Sequence, residues 1–335
     1  MKMATTDGEY RKRNSRLQCC VLLLLFGSGF TLAKAQSTDT LIHSFKITIL
    51  STMLVGEPTG MGEWGFAALV EADGHRVLVD TGAHPETVLE NARDLHVDLS
   101  NVQDVVLTHN HWDHVRGLMP LRRELMKKDP KALSIAYVAE GIFSSRPSPA
   151  GERNEMIAIR KEFEATGGKF IVLSKNSELF SGAWLTGPVP RQYPEHNWTR
   201  TGRVQTTAGL IEDNIPEDQS LVLNTVKGLV IVTGCGHAGI VNIATFTEKH
   251  FDNKPIYGIV GGLHLFAASD DQIDWTAAKL REYRVANLLA AHCTGIEATF
   301  RLRQDLALNR ATATTGTVGS SFSSKSGIET GELAK

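Results

Sequence analysis

Within VVLTHNHWDHVRGL, residues 105–118, four side chains able to hold a metal ion fall in six positions: His109, His111, Asp113 and His114. Two histidines separated by one residue on an extended turn point the same way, so His109 and His111 can grip one ion. Asp113 and His114, on the next bend, can face a second. Mixed nitrogen and oxygen donors suit zinc best, with iron or manganese also compatible. No single turn closes a coordination sphere, so donors from distant parts of the chain must complete it. An isolated histidine is ordinarily a surface or hydrogen-bonded residue, and His43, His75, His84, His96 and His250 read that way.

The elements that must hold this turn are readable around it. The apolar run DVVLT, 104–108, is a short buried strand that delivers the chain to the cluster. Upstream, SFKITILST alternates as a strand, WGFAALVEADGHRVLVDTG reads as two strands joined by a turn at Asp73 and Gly74, and PETVLENARDL has a proline start and helical spacing. Downstream, helices over VRGLMPLRRELMKK and ERNEMIAIRKEFEAT alternate with strands over LSIAYVAE and KFIVLS, then a short strand near AWLTGP. Residues 186–218 carry four prolines and little periodicity, which predicts a loop insertion serving as a lid. The second half alternates again: strands SLVLNTV and GLVIVTG, helix GIVNIATFTEKHF, strand PIYGIVGG, helix SDDQIDWTAAKLREY, strand VANLLAAH, helix GIEATFRLRQDLA and a last strand near TTGTVGSSF. Its apolar strands end in turns bearing His237, His264 or His292, where layered α/β sheets collect their chemistry.

Of 335 residues, 42% are apolar and 21% charged, enough apolar material for one large domain, expected over 36–322 with a flexible tail at 323–335. Residues 1–35 read as a signal peptide: RKRNSR, then LQCCVLLLLFGSGFTLA, then small residues at Ala33 and Ala35. The apolar part is too short for a membrane span. The mature chain is therefore expected to be exported, periplasmic or secreted, with no stable membrane insertion. Losing that segment removes six basic and two acidic residues from totals of 35 and 37, leaving 29 against 35. A net charge of −6 without a basic run argues against a nucleic-acid partner and for a small-molecule substrate, and leaves oligomeric state open. Of four cysteines, Cys235 and Cys293 remain, each beside a histidine in a glycine-flanked turn. A disulfide and proximity to a metal site are equal readings.

The pattern His-x-His-x-Asp-His after an apolar strand resembles the signature of the metallo-β-lactamase fold superfamily. The resemblance implies a four-layer αββα sandwich, an α+β or α/β arrangement with metals, two zinc ions in the first instance, at one edge of two packed sheets. VLVDTG, 77–82, is similar to that superfamily's earlier aspartate motif, which implies that Asp80 orients a ligand from behind. His292 fits its last ligand. His237 in GCGHAG is the choice for the remaining histidine, and His196 in YPEHNW its competitor. Cys235 falls near an expected bridging aspartate, so it is a possible ligand and a two-ion site is open against a one-ion site. His264 in GGLHLF reads first as a substrate contact or general acid, then as a ligand or a core histidine. TGPVPR, EDQSLVLNTVKGLVIVTGCGHAGIVN, YGIVGGLHL and AHCTG together resemble 7,8-dihydropterin-6-yl-methyl-4-(β-D-ribofuranosyl)aminobenzene 5′-phosphate synthase-like proteins.

The ligand set, the expected export and the lid favour a metal-dependent hydrolase of a small ester, lactone or phosphoester, with Asp113 as ligand and holder of the attacking water and His264 able to protonate the departing atom. A pterin-type transferase is the alternative that the branch implies. A non-catalytic zinc-binding protein is the third reading, and the excess of donors over the four of a closed structural site argues against it.

Overall fold

The strand Gly228–Thr233 is buried at every position, and its alternation shows why. Leu229 and Ile231 pack against helices, whereas Val230 and Val232 point into a second sheet. A strand covered on both faces has no polar side to present, so it reads as a continuous apolar run. The computed structural model describes residues 40–56 and 59–334. The expected signal peptide, with Cys19 and Cys20, lies outside the described residues.

Two mixed sheets stack face to face. The first has eight strands in the order Gly327–Glu329, Ser321–Ser323, Phe45–Ser51, Ala67–Ala72, His75–Val79, Asp104–Val106, Ile135–Ala139, Lys169–Leu173. The second has seven: Ala313–Thr315, Leu288–Ala290, Ile256–Gly261, Gly228–Thr233, Ser220–Thr225, Ala183–Leu185, Ser177–Phe180. Between them lies a core of Ile47, Ile49, Phe66, Val70, Val79, Leu221, Val232, Val260 and Phe322. Helices Thr87–Asp94, Leu118–Leu125 and Met156–Ala165 cover the first sheet, and Ile240–His250, Asp270–Glu282 and Ile296–Asp305 the second. This is the expected four-layer αββα sandwich. Among the described residues no helix is long and apolar enough to cross a membrane.

The expected hairpin pairs Ala67–Ala72 with His75–Val79. Its turn takes positive φ at both Asp73 (44°) and Gly74 (88°), the twist that a tight hairpin needs. The Asp73 carboxylate also accepts the backbone N–H groups of His43 and Ser44.

Three expectations need correction. The single last strand is two, Ala313–Thr315 in the second sheet and Ser321–Ser323 in the first, so the chain crosses between sheets at Gly316–Gly319. Residues 323–335 are not wholly a loose tail, because Gly327–Glu329 pairs with Ser321–Ser323. The segment 186–218 contains a hairpin, Arg203–Thr206 with Gly209–Glu212, and its end is tied down by charge. Arg146 donates to Asp213 (2.7 Å) and to both oxygens of Glu217 (2.8 and 2.7 Å), all three buried.

Candidate metal centre

Five parallel or edge-adjoining strands finish at one end of the sandwich, and each is followed by a residue singled out above. Asp80 follows His75–Val79, His109 follows Asp104–Val106, Cys235 and His237 follow Gly228–Thr233, His264 follows Ile256–Gly261, and His292 follows Leu288–Ala290. His111 caps the short helix Trp112–Val115, which carries Asp113 and His114. Asp80, His264 and His292 all have positive φ, at 57°, 51° and 47°. Such backbone costs of order 1–3 kcal/mol per non-glycine residue and persists where surrounding structure demands it.

Glycine makes the convergence possible. A Cβ on Gly234 would stand 2.2 Å from Thr108 Oγ1 and 2.4 Å from Asp80 Oδ2. One on Gly262 would meet the carbonyl of Gly234 at 2.2 Å and Cys293 Sγ at 2.8 Å.

Hydrogen bonds fix which nitrogen of each imidazole faces inward. Asp80 accepts Thr108 N–H on Oδ1 and the Thr108 hydroxyl on Oδ2, and Oδ2 lies 2.7 Å from His114 Nδ1. That leaves His114 Nε2 facing Cys235 Sγ at 3.2 Å. The Thr108 hydroxyl, its proton committed to Asp80, accepts from His109 Nδ1 at 2.9 Å, and the buried His109 Nε2 has no partner. His237 Nδ1 donates to the carbonyl of Asn197, and its Nε2 lies 3.1 Å from His111 Nδ1. His292 Nε2 lies 3.3 Å from Asp113 Oδ2 but outside hydrogen-bond geometry, so both ring nitrogens of His292 are buried without a hydrogen bond.

The donor atoms fall into overlapping groups, each within 4.8 Å: His109, Cys235 and His237; His114, Cys235 and His292; Cys235, His264 and Cys293; and Asp80, His109 and His114. Asp113 joins through Oδ2, 3.7 Å from His114 Nε2 and 3.3 Å from His292 Nε2. Burial, with the neighbouring histidines, pushes His109 and His237 well below the ordinary imidazole range, and burial holds His111 at about 4. These three imidazoles are therefore neutral at pH 7, with a free lone pair on His109 Nε2 and one on His237 Nε2 that only His111 Nδ1 engages. Burial would also push His114 down, but Asp113 and Asp80 outweigh it and raise it to about 9. Burial raises Asp113, and His114 and His292 more than reverse this, holding the carboxyl ionised. Uncommitted nitrogens, an ionised carboxylate and a thiol aimed at one space fit a divalent cation.

Not every expected residue joins this cluster. His196 is exposed and packs on Trp198, with ring centroids 4.9 Å apart, away from these donor groups. His264 stands at the margin, half-buried, its ring 4.5 Å from His237 and 5.3 Å from Phe266, with Nδ1 unpartnered. Cys235 and Cys293 are free thiols, with sulfurs 3.3 Å apart. The rim is aromatic: Trp64 meets His292 at 5.2 Å and Phe266 edge-on at 5.6 Å.

Sequence reasoning missed the carboxylates behind the turns. Asp218 accepts the N–H of Ala238, next to His237, and burial pushes it up to about 7. Glu195 accepts Val241 and Asn242 N–H at the start of the 240–250 helix, and burial raises it also to about 7. Glu63 takes Ala83 and His84 N–H behind the Asp80 turn. The first two sit in the segment read as a lid; acids flanked by proline, PEH and PED, were the only signal.

A sequence profile of the metallo-β-lactamase superfamily matches residues 65–182. A solved metal-dependent hydrolase of the β-lactamase superfamily superposes with a TM-score of 0.67 at 27% identity, over 83% of this chain and 98% of the other. Residues 65–182 thus carry the metallo-β-lactamase superfamily pattern, and the fold as a whole is similar to that of the solved hydrolase. The metallo-β-lactamase fold protein YhfI from Bacillus subtilis shares the fold at 14% identity, with a TM-score of 0.51 over 84% of this chain and 99% of that one. The 7,8-dihydropterin-6-methyl-4-(beta-D-ribofuranosyl)-aminobenzene-5′-phosphate synthase of Methanocaldococcus jannaschii is 27% identical over 251 residues, which is 70% of this chain and 82% of that protein. Within this superfamily frame, the His109–His114 turn lies inside the matched region, whereas Cys235, His237, His264 and His292 lie beyond it.

Proposed function

We propose that this chain is a metal-dependent hydrolase of the metallo-β-lactamase superfamily, acting on a small ester, lactone or phosphoester. The observation that carries the reading is the set of buried, uncommitted donor atoms converging at one end of the sheets, headed by His109 Nε2 and His292 Nε2. His109, His111 and His237 would hold one ion, and Asp113, His114 and His292 a second, with zinc the first choice and iron or manganese compatible. Bound there, such ions supply Lewis acidity toward a substrate oxygen and toward water.

The chain's own residues do the rest. Asp80 and the Asn197 carbonyl lock the tautomers of His114 and His237, so the site meets its ligand pre-oriented. His264, half-buried with Nδ1 free, stands where it can hand a proton to a departing group. Trp64 and Phe266 screen the margin from water.

Assaying the metal-loaded protein against lactone, phosphoester and β-lactam panels tests this. Turnover of one class, lost together with metal uptake in His111→Ala, is the expected result. Metal uptake without turnover of any compound would sink the hydrolase reading. The identity with the M. jannaschii synthase favours a second reading, a pterin-type transferase, which an assay condensing a dihydropterin diphosphate with an aromatic amine addresses. Action outside the cytoplasm is also proposed, and N-terminal sequencing of the mature protein checks it: a first residue at Gln36 supports export, and an intact Met1 opposes it.

A further inference from the structure

We propose that Cys235 is a shared sulfur ligand, its thiolate lying between two metal positions. The inference rests on the metal reading above and concerns how the two halves of that site are joined. Cys235 Sγ belongs both to the group with His109 and His237 and to the group with His114 and His292. No carboxylate among the described residues occupies that middle place. Asp113 approaches only the His114 and His292 side, at 3.7 and 3.3 Å. Asp80 has both oxygens committed to Thr108 and His114 Nδ1.

The sulfur is held there by its surroundings. It follows directly on the Gly228–Thr233 strand, and Gly234 before it leaves no room for a side chain against Thr108 and Asp80. Cys293 Sγ stands 3.3 Å away and, with His264, forms a further group around the same sulfur. When the site loads, the Cys235 S–H bond breaks, sulfur–metal bonds form, and the proton passes to solvent; no oxidation state changes. A thiolate bridge favours thiophilic ions such as zinc, cobalt and cadmium over magnesium and calcium, which take oxygen donors. The sulfur thus stands in the position at which the resemblance implied a bridging aspartate, and it changes which ions the site retains.

Titration of the reduced metal-free protein with cobalt(II), under argon, reads the bridge directly. A near-ultraviolet sulfur-to-cobalt charge-transfer absorption is expected to rise through both the first and the second equivalent. It is expected to vanish in Cys235→Ser and to persist in Cys293→Ser. Cys235→Asp, which keeps a donor at the same place, is expected to bind two cobalt ions without the absorption, and it decides the matter should the serine variant fail to fold by circular dichroism. Absorption that saturates at one equivalent would make Cys235 a ligand of one ion and overturn the bridge. So would absorption that survives in Cys235→Asp, or two bound ions with none. Those outcomes leave the metal reading standing, whereas failure of the wild-type protein to take up cobalt or zinc at all overturns both.

Discussion

Asp80 meets three polar atoms at once, Thr108 N, Thr108 Oγ1 and His114 Nδ1, and has no exposed surface. An asparagine keeps one acceptor and turns an amide toward either Thr108 or His114, so one of the three contacts must become a mismatch. Asp80→Asn is expected to weaken zinc affinity by roughly 10- to 100-fold, the usual consequence of losing a partner behind a metal-binding histidine. Chelator competition measures it; an unchanged affinity with intact circular dichroism would remove Asp80 from the orienting role. Asp218 argues a different point. Its Oδ2 accepts Ala238 N–H, but its Oδ1 is buried without a partner, and burial raises its pKa from 3.8 to about 7. Between those values the folded state binds more protons than the unfolded state, so this group makes stability fall as pH rises from 4 to 7. The full effect is about 4 kcal/mol at most. Asp218→Asn keeps an acceptor and cannot ionise, so in the metal-free protein it should lose less stability than wild type between pH 4 and pH 8. Urea unfolding at the two pH values checks this, and equal losses would show that Asp218 is not buried ionised.

The elements were legible wherever local pattern and burial agree. GLVIVTG, PIYGIVGG and VANLLAAH read as strands because both faces of each are covered, and their ends carried the site because parallel strands finish together. The segment 186–218 was illegible because what orders it is distant in sequence: Arg146 reaches Asp213 and Glu217 across 67 and 71 residues. Proline content reported irregular backbone correctly and said nothing of a buried ion cluster. Arg146→Ala would strand two buried carboxylates, Glu217 with no exposed surface, at a cost of roughly 3–5 kcal/mol. Hydrogen exchange should then speed up in the 203–212 hairpin before the sheets are affected. Uniform acceleration across both sheets would mean that the cluster supports the whole fold rather than its insertion.

At the scale of the whole molecule, the two ends of the described chain close one sheet. Ser321–Ser323 pairs antiparallel with Phe45–Ser51 on one side and Gly327–Glu329 on the other, and Phe322 packs edge-on to Phe45 with ring centroids 5.4 Å apart. No local reading of SSKSGIETGELAK finds the strand Gly327–Glu329, since it pairs with Ser321–Ser323, which is itself held by Phe45–Ser51 from the other end of the described chain; Ser324 meets Phe45 at a separation of 279. Phe322 also reaches across to the second sheet, where a Cβ on Gly258 would stand 2.4 Å from its ring. The residue therefore fills the space between sheets at the edge where the chain crosses from one to the other. Phe322→Ala should cost about 3–5 kcal/mol, the range for emptying a buried aromatic site. Leu333→Ala, at a residue 87% exposed, should cost within about 0.5 kcal/mol. Urea unfolding of the two variants separates a closing strand from a dispensable tail. Similar small losses in both would return 323–335 to the tail that its composition suggests, and a large loss confined to Phe322→Ala ties the far end of the chain to the same sheet that carries Asp80 and His109.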